Sequence, residues 1–326
     1  MWQKVKAVIR NNDSFLISSH IFPDGDAIAS ELAMAHILRA AGKKVLIVNE
    51  HPTPAIYHFL DPRGTIKVYS DKIRKRAEKC DVAFVVDVGS LERCGRVGAA
   101  ITKAGMQAVC IDHHKTNTGF ANVNVVERSS AATGELIYSL AKSMKTPITP
   151  KFAATLFAAI STDTGWFRFP NTTAHTLRVA ADLVANGANP DKLYQAINET
   201  MEWQRLELMK LVLDTLGREC DGRIATLSIT EAMLRKTGAK HEDAEDFVDI
   251  PRSLRGVKLI ILFREIDKGI KVSLRSKDGP AVEQIAKKHG GGGHAKAAGT
   301  IIKASMSQAK KLILADAKRL VEHGSL

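Results

Sequence analysis

Four short strand-like runs, spaced by segments long enough for helices, constrain this chain more than any other feature. SFLISS (14–19), KVLIVN (44–49), VAFVVDV (82–88) and MQAVCID (106–112) are each flanked by polar residues or glycine. Between the first two lies AIASELAMAHILRAA (27–41), which reads as a helix closed by Gly42. Strands alternating with helices predict a doubly wound, mostly parallel α/β sheet, because parallel neighbours need a crossover between them. Such sheets bind ligands beyond the carboxyl ends of their strands.

After Ser129 the pattern turns helical through about Gly217, with Asn189-Pro190 as punctuation and 191–216 reading as one long connecting helix. A second strand pattern follows: RIATLSI (223–229), KLIILFRE (258–265) and IKVSLRS (270–276), the last two joined by a hairpin turn at Asp267–Gly269. A glycine-rich loop (290–293) and an amphipathic helix from about 305 to 322 complete it. The expected layout is a first domain over 1–190, a helical linker over 191–217 and a smaller α+β domain over 218–326.

Composition narrows the partners. The longest apolar runs, such as LIILF (259–263), fall far short of the ~20 residues that span a bilayer. The N-terminus, MWQKVKAVIRNNDSF, lacks the apolar core of a secretory signal. Cys80, Cys94, Cys110 and Cys220 show no CxxC spacing, so reduced thiols and a cytoplasmic location are expected, with no membrane partner. Forty-seven basic against 35 acidic residues leave a net charge of +12, which favours an anionic partner. The excess is concentrated: residues 218–326 carry 21 bases and 14 acids, or +7, against 26 and 21, or +5, in residues 1–217.

The chemistry-bearing residues share one rim. Asp24 and Asp26 follow the first strand, with His20 leading into their turn; Asp87 ends the run at 82–88. Asp112, His113 and His114 end the run at 106–112, and Asp163 closes the apolar helical stretch TLFAAISTD. One such residue at a strand end is usually a turn former, but several on one rim repel each other unless a cation neutralises them. Two histidines and four aspartates without a thiolate exceed what one tetrahedral zinc requires. They suit two divalent ions about 3.5–4 Å apart, bridged by a carboxylate and performing hydrolysis. Mixed imidazole and carboxylate donors favour Mn2+, with Mg2+ or Co2+ as alternatives.

At these residues a resemblance emerges. HIFPDGDAIAS (20–30), VVDVGSLERCG (85–95), IDHHKTN (111–117) and ISTDTGWFRFPNTT (160–173) resemble the four ordered motifs of the DHH phosphoesterase family. KHGGGGHAKAAG (288–299) resembles the signature of its associated C-terminal domain. Length and layout are most similar to the short bifunctional members, oligoribonucleases that also act on 3′-phosphoadenosine 5′-phosphate. Motif I reads DAIAS where the family often has DAIGS, so Ala29 replaces a glycine.

The resemblance implies that His20 and Asp24 hold one metal, and Asp26, His113 and Asp163 the other, with Asp87 bridging. It places His114 at the scissile phosphate as an acid or electrostatic stabiliser. Asp112 joins the catalytic set, directly or by orienting an imidazole. Gly291, Gly292 and Gly293 expose backbone N–H groups to phosphate oxygens, beside His294. Arg275 and Ser276 are candidates for clamping a terminal phosphate, and Arg93 and Arg168 for reaching phosphate near the metals. Trp166, Phe167 and Phe169 suit base stacking or a core role. The expected substrates are oligonucleotides of about two to five residues and nucleotide phosphates. A cyclic or linear dinucleotide phosphodiesterase and a RecJ-like single-strand exonuclease are the alternatives, and a homodimer is left open.

Overall fold

The computed structural model describes residues 1–324, which divide into two compact units at Thr200/Met201.

The first unit is built on six parallel strands: β1 Ser14–Ser18, β2 Lys44–Asn49, β3 Ile66–Val68, β4 Val82–Val86, β5 Gln107–Asp112 and β6 Val123–Val126. They lie in the order β3-β2-β1-β4-β5-β6. Its helices are α1 Gln3–Asn11, α2 Gly25–Ala40, α3 Asp71–Ala77, α4 Arg96–Lys103, α5 Thr133–Met144, α6 Pro150–Asp163, α7 Ala174–Ala185 and α8 Pro190–Asn198.

Side-chain alternation divides the two faces. Phe15, Ile17, Phe84 and Val86 pack with α1, α2, α5 and α6, whereas Leu16, Ala83 and Val85 pack with α3 and α4. Burying both faces explains why β1 and β4 read as continuous apolar runs rather than alternating ones. Each large side chain so buried contributes roughly 1.5–3 kcal/mol. The chain leaves β1 toward β2 and leaves β4 toward β5, so the strand order reverses between β1 and β4. A crevice opens at such a switch point, beyond the carboxyl ends of the strands.

The second unit contains α9 Trp203–Leu213, β7 Gly217–Glu219, β8 Ile224–Ile229, α10 Glu231–Thr237, β9 Leu259–Ile266 and β10 Gly269–Ser276. It ends with α11 Glu283–Lys288, β11 Gly292–His294, β12 Ala297–Ile302 and α12 Met306–His323. Its sheet runs β11-β12-β10-β9-β8-β7, antiparallel apart from the β8–β9 pair. Helices α9 and α10 cover one face, through Leu208, Val212 and Leu234. Helices α11 and α12 cover the other, through Ile285, Ile313 and Leu320.

Three sequence expectations need correction. The stretch 191–216 is two helices, broken at 199–202, and not one. Its apolar positions serve different cores: Leu193 and Ile197 pack in the first unit, Leu208 and Val212 in the second. The glycine run is only partly loop, since Gly292–His294 pairs with β12 as a strand. Strands β3 and β6 extend the parallel sheet by two where four were expected.

Candidate metal centre

His20 leaves the end of β1 with its ring fixed from behind. Nδ1 donates to the Ile21 carbonyl at 2.8 Å, leaving Nε2 facing Asp24 Oδ2 at 3.8 Å and Asp87 Oδ2 at 3.7 Å. His113, just past β5, repeats the arrangement. Its Nδ1 faces the Ser130 carbonyl at 3.3 Å, and Nε2 lies 3.5 Å from both Asp87 Oδ1 and Asp163 Oδ2. Backbone carbonyls behind metal-binding imidazoles commonly select the tautomer in this way. The Nε2–oxygen separations are too long for good hydrogen bonds, yet short enough for both atoms to reach one ion at about 2.1 Å.

Asp87 joins two groups: one oxygen points to His20 and the other to His113. His20, Asp24 and Asp87 form one cluster, and Asp26, His113 and Asp163 a second, each with donor atoms within 4.8 Å of one another. Asp87, His113 and His114 form a third that overlaps them. Asp87 sits in the left-handed region at φ 57°, immediately after β4, and its N–H bonds to the Ile111 carbonyl. That conformation is tolerated by aspartate better than by most residues.

The protein leaves this cluster short of positive charge. Asp26 is buried on α2 and accepts three bonds, from Ser30 Oγ at 2.9 Å, Thr133 N at 2.7 Å and Gly134 N at 3.0 Å. The last two are N–H groups of the first turn of α5, which have no partner within the helix and form a natural seat for an anion. Yet burial, followed by repulsion from Asp87, Asp163 and Asp24, pushes the Asp26 carboxyl well above its usual range. Burial likewise raises Asp87 to about 6, with Asp24 adding to it, and burial raises Asp163. Burial alone would lower His20, but Asp24, the Ile21 carbonyl and Asp87 outweigh it and hold a proton there up to about 9. Donors that favour carboxylates and neighbours that oppose them are reconciled by divalent cations, so the donor set fits a metal pair.

His114 has a separate arrangement. Its Nδ1 bonds Asp112 Oδ1 at 2.6 Å, and Asn117 Nδ2 donates to Asp112 Oδ2 at 2.7 Å. The bond to Asp112 raises His114, while burial of Asp112 is outweighed by its bonds from His114 and Asn117, which keep it low. The result is an imidazolium–carboxylate pair beside Asp87, with Nδ1 of His114 3.9 Å from Asp87 Oδ1.

Other expected residues are placed less directly. Arg93 is exposed, but its carbonyl accepts from Ile21 N at 2.7 Å, tying its turn to the His20 loop. Arg168 is exposed, bonds the Gly165 carbonyl through Nε at 2.7 Å and lies over Phe169. Trp166 and Phe167 pack against the core, whereas Phe169 remains 48% exposed.

In the second unit Arg275, Ala297 and His294 occupy one rung across β10, β12 and β11. Arg275 Nε lies 3.7 Å from Asp249, and the Ser276 hydroxyl is buried without a hydrogen-bond partner among the described residues. A Cβ on Gly291 would come 2.2 Å from the Gly299 carbonyl, and one on Gly293 2.5 Å from that of Ala297. Close approach to β12 therefore requires these two glycines, while Gly292 faces open space.

Sequence reasoning missed Asn117, Ser30, Thr133 and Gly134 as partners of the site. The first two lie inside motifs already singled out. The last two act through backbone N–H groups, which leave no side-chain signal; Thr133 also donates its hydroxyl to Asp87 Oδ1 at 2.9 Å.

Residues 14–160 match the DHH family, N-terminal domain, and residues 221–323 match the DHHA1 domain. The bifunctional oligoribonuclease and PAP phosphatase NrnA of Thermus thermophilus is 33% identical over 318 residues, covering 96% of this chain and 93% of that protein. Its Bacillus subtilis namesake is 28% identical, covering 94% and 95%. Among solved structures, an exopolyphosphatase-related protein from Bacteroides fragilis superposes with a TM-score of 0.86 at 26% identity, covering 98% of this chain and 97% of that one. No helix among the described residues is long and apolar enough to cross a membrane.

Proposed function

The chain belongs to the DHH family and is a phosphoesterase; from that premise we propose that it is a Mn2+-dependent hydrolase of oligonucleotides about two to five residues long and of 3′-phosphoadenosine 5′-phosphate. The observation carrying the two-metal reading is Asp87, whose two oxygens address two imidazole–carboxylate groups. The substrate class rests on end-to-end likeness to two proteins named for it.

In this reading His20, Asp24 and Asp87 would hold one ion, and Asp26, His113 and Asp163, with Asp87 shared, would hold the other. Bound there, the pair supplies Lewis acidity and lowers the pKa of water. The chain's own residues do the rest. His114, kept protonated by Asp112, directs Nε2–H toward the phosphate or its leaving oxygen as the acid. Asp112 fixes the ring and stabilises its charge, and Asn117 fixes Asp112. Arg93 and Arg168 supply positive charge near the metal loops. On the second unit, Arg275, Ser276, Gly291, Gly292, Gly293 and His294 form the phosphate-binding set, with Arg275 suited to two parallel bonds.

The test is a panel assay with added Mn2+: a dinucleotide, a pentanucleotide, a 20-mer, 3′-phosphoadenosine 5′-phosphate and cyclic di-AMP. Rates should be highest on the short strands, with the 3′-phosphoadenosine 5′-phosphate cleaved too. Equal rates per bond on the 20-mer point instead to the exonuclease alternative, and preference for the cyclic dinucleotide to the cyclic phosphodiesterase.

A further inference from the structure

The far ends of the two helices that carry the proposed metal ligands Asp26 and Asp163 border a cavity. This cavity, of about 310 Å3, lies in the first unit among the last turns of α2, the first turn of α6 and the loop at 60–65. Counting helix rise from Asp26 to Arg39 and from Asp163 to Lys151, it is separated from the metal ligands by about 18–20 Å. Its walls are apolar where Leu32, Leu60 and Phe152 contribute. Its rim carries Arg39, Arg63 and Lys151. None of these three cations ion-pairs with a carboxylate among the described residues, and all three are exposed.

Among the described residues the one acid in the lining is Asp61, and both of its oxygens are engaged, by Thr65 Oγ1 and by Ile66 N, each at 2.8 Å. Three cations and one carboxylate leave a formal charge of +2 around an apolar floor. His36 lies in the same lining, its ring stacked on Phe152 at 4.3 Å and 22°. Burial lowers this imidazole, and the nearby charges of Arg39 and Lys151 lower it further. A neutral, aromatic platform thus adjoins unpaired positive charge.

We propose that this cavity is a second ligand site, which binds a mononucleotide. The base would rest on the wall of Leu32, Leu60 and the His36 ring, and the phosphate dianion would meet Arg39, Arg63 and Lys151. Charge selects the ligand: a phosphomonoester near neutral pH carries almost two negative charges, matching the +2 of the lining. Size selects it too, since about 310 Å3 lies at the small end of the roughly 300–1,000 Å3 of ligand pockets. This proposal does not depend on the hydrolase reading.

The experiment titrates AMP by calorimetry into the whole, EDTA-treated protein, so that metal-held phosphate does not contribute. Arg63→Ala/Lys151→Ala should weaken AMP at least tenfold, while Mn2+-dependent hydrolysis of bis(p-nitrophenyl) phosphate stays unchanged. Photolabelling with 8-azidoadenosine 5′-monophosphate should mark peptides covering 32–40, 60–65 or 151–155. The proposal is overturned if AMP does not bind, if the variant binds it as well as the parent, or if labelling falls only elsewhere. Inorganic phosphate competing as strongly as AMP would also overturn it, because the base would then contribute nothing. Loss of the chromogenic activity together with AMP binding in the variant would also overturn it, because the substitutions would then act through the metal centre or the fold and not through a separate cavity.

Discussion

Two clusters of aspartate and histidine in this molecule balance their charges in opposite ways. In the second unit Asp316 on α12, 5% exposed, is met by Lys288 Nζ at 2.6 Å and His289 Nε2 at 2.8 Å. Burial would raise its pKa, but those two partners lower it below the usual range, and the group is complete without any ligand. At the switch point of the first sheet, Asp24, Asp26, Asp87 and Asp163 share His20 and His113, and three of the four carboxyls are pushed upward. The same residue types make a structural clamp where the chain's own cations balance the carboxylate, and a donor set that fits metal ions where carboxylates outnumber them.

The largest expected effect comes from breaking the unbalanced cluster at its shared member. Asp87→Ala should lower turnover more than any other single substitution and reduce the bound metal in elemental analysis, because one residue serves both groups. His113→Ala should likewise lose metal. His114→Ala should keep metal and lose turnover, since its Nδ1 is committed to Asp112. Equal metal loss in the two histidine variants would contradict this division.

Asp112→Ala should cost less, at most the roughly 10²–10⁴-fold that a general acid supplies, because its side chain reaches the reaction only through the proposed acid His114. Its signature is the pH profile: without Asp112 the His114 imidazolium loses its proton at lower pH, so the alkaline limb of activity should move down. An unmoved limb would show that His114 is not the titrating acid.

Asp316→Asn sharpens the comparison from the other side. It should destabilise the second unit by about 1–3 kcal/mol and leave metal content unchanged. Because the folded pKa of Asp316 is depressed, its contribution is present above the unfolded value and lost as pH falls through the folded one. The gap between parent and variant in denaturant melts should therefore narrow in acid.

A smaller effect belongs to Glu31, buried on α2 and holding Asn49 Nδ2 at 2.9 Å. Burial lifts its carboxyl from 4.5 to about 8, so the folded state retains a proton that the unfolded state releases. Its contribution is full below the unfolded pKa and is lost as pH rises from 4.5 to about 8. Glu31→Gln should flatten that decline in apoprotein melts; an identical pH slope in both proteins would refute the assignment.

The sequence disclosed the unbalanced cluster better than the balanced one for a physical reason. Strand ends are set by apolar runs, and His20, Asp87 and His113 sit one to two residues beyond β1, β4 and β5. Parallel strands then bring those ends to one rim. Asp316, Lys288 and His289 meet only through the packing of α11 against α12, which no local pattern encodes. Strand β3 is three residues long and β6 four, too short for a period to register. The break at 199–202 contains neither glycine nor proline, so nothing local announces it. The glycine run was conspicuous, yet the requirement at Gly291 and Gly293 is contact with β12.

The central claim is that the first cluster lacks cations which two bound ions supply. Turnover of a dinucleotide and bound metal should be measured on one sample, dialysed against EDTA and titrated with Mn2+. The charge imbalance predicts a folded, inactive protein at zero metal and full activity as occupancy reaches two ions per chain. Full turnover in the stripped protein, or saturation of binding and activity at one ion, would contradict it.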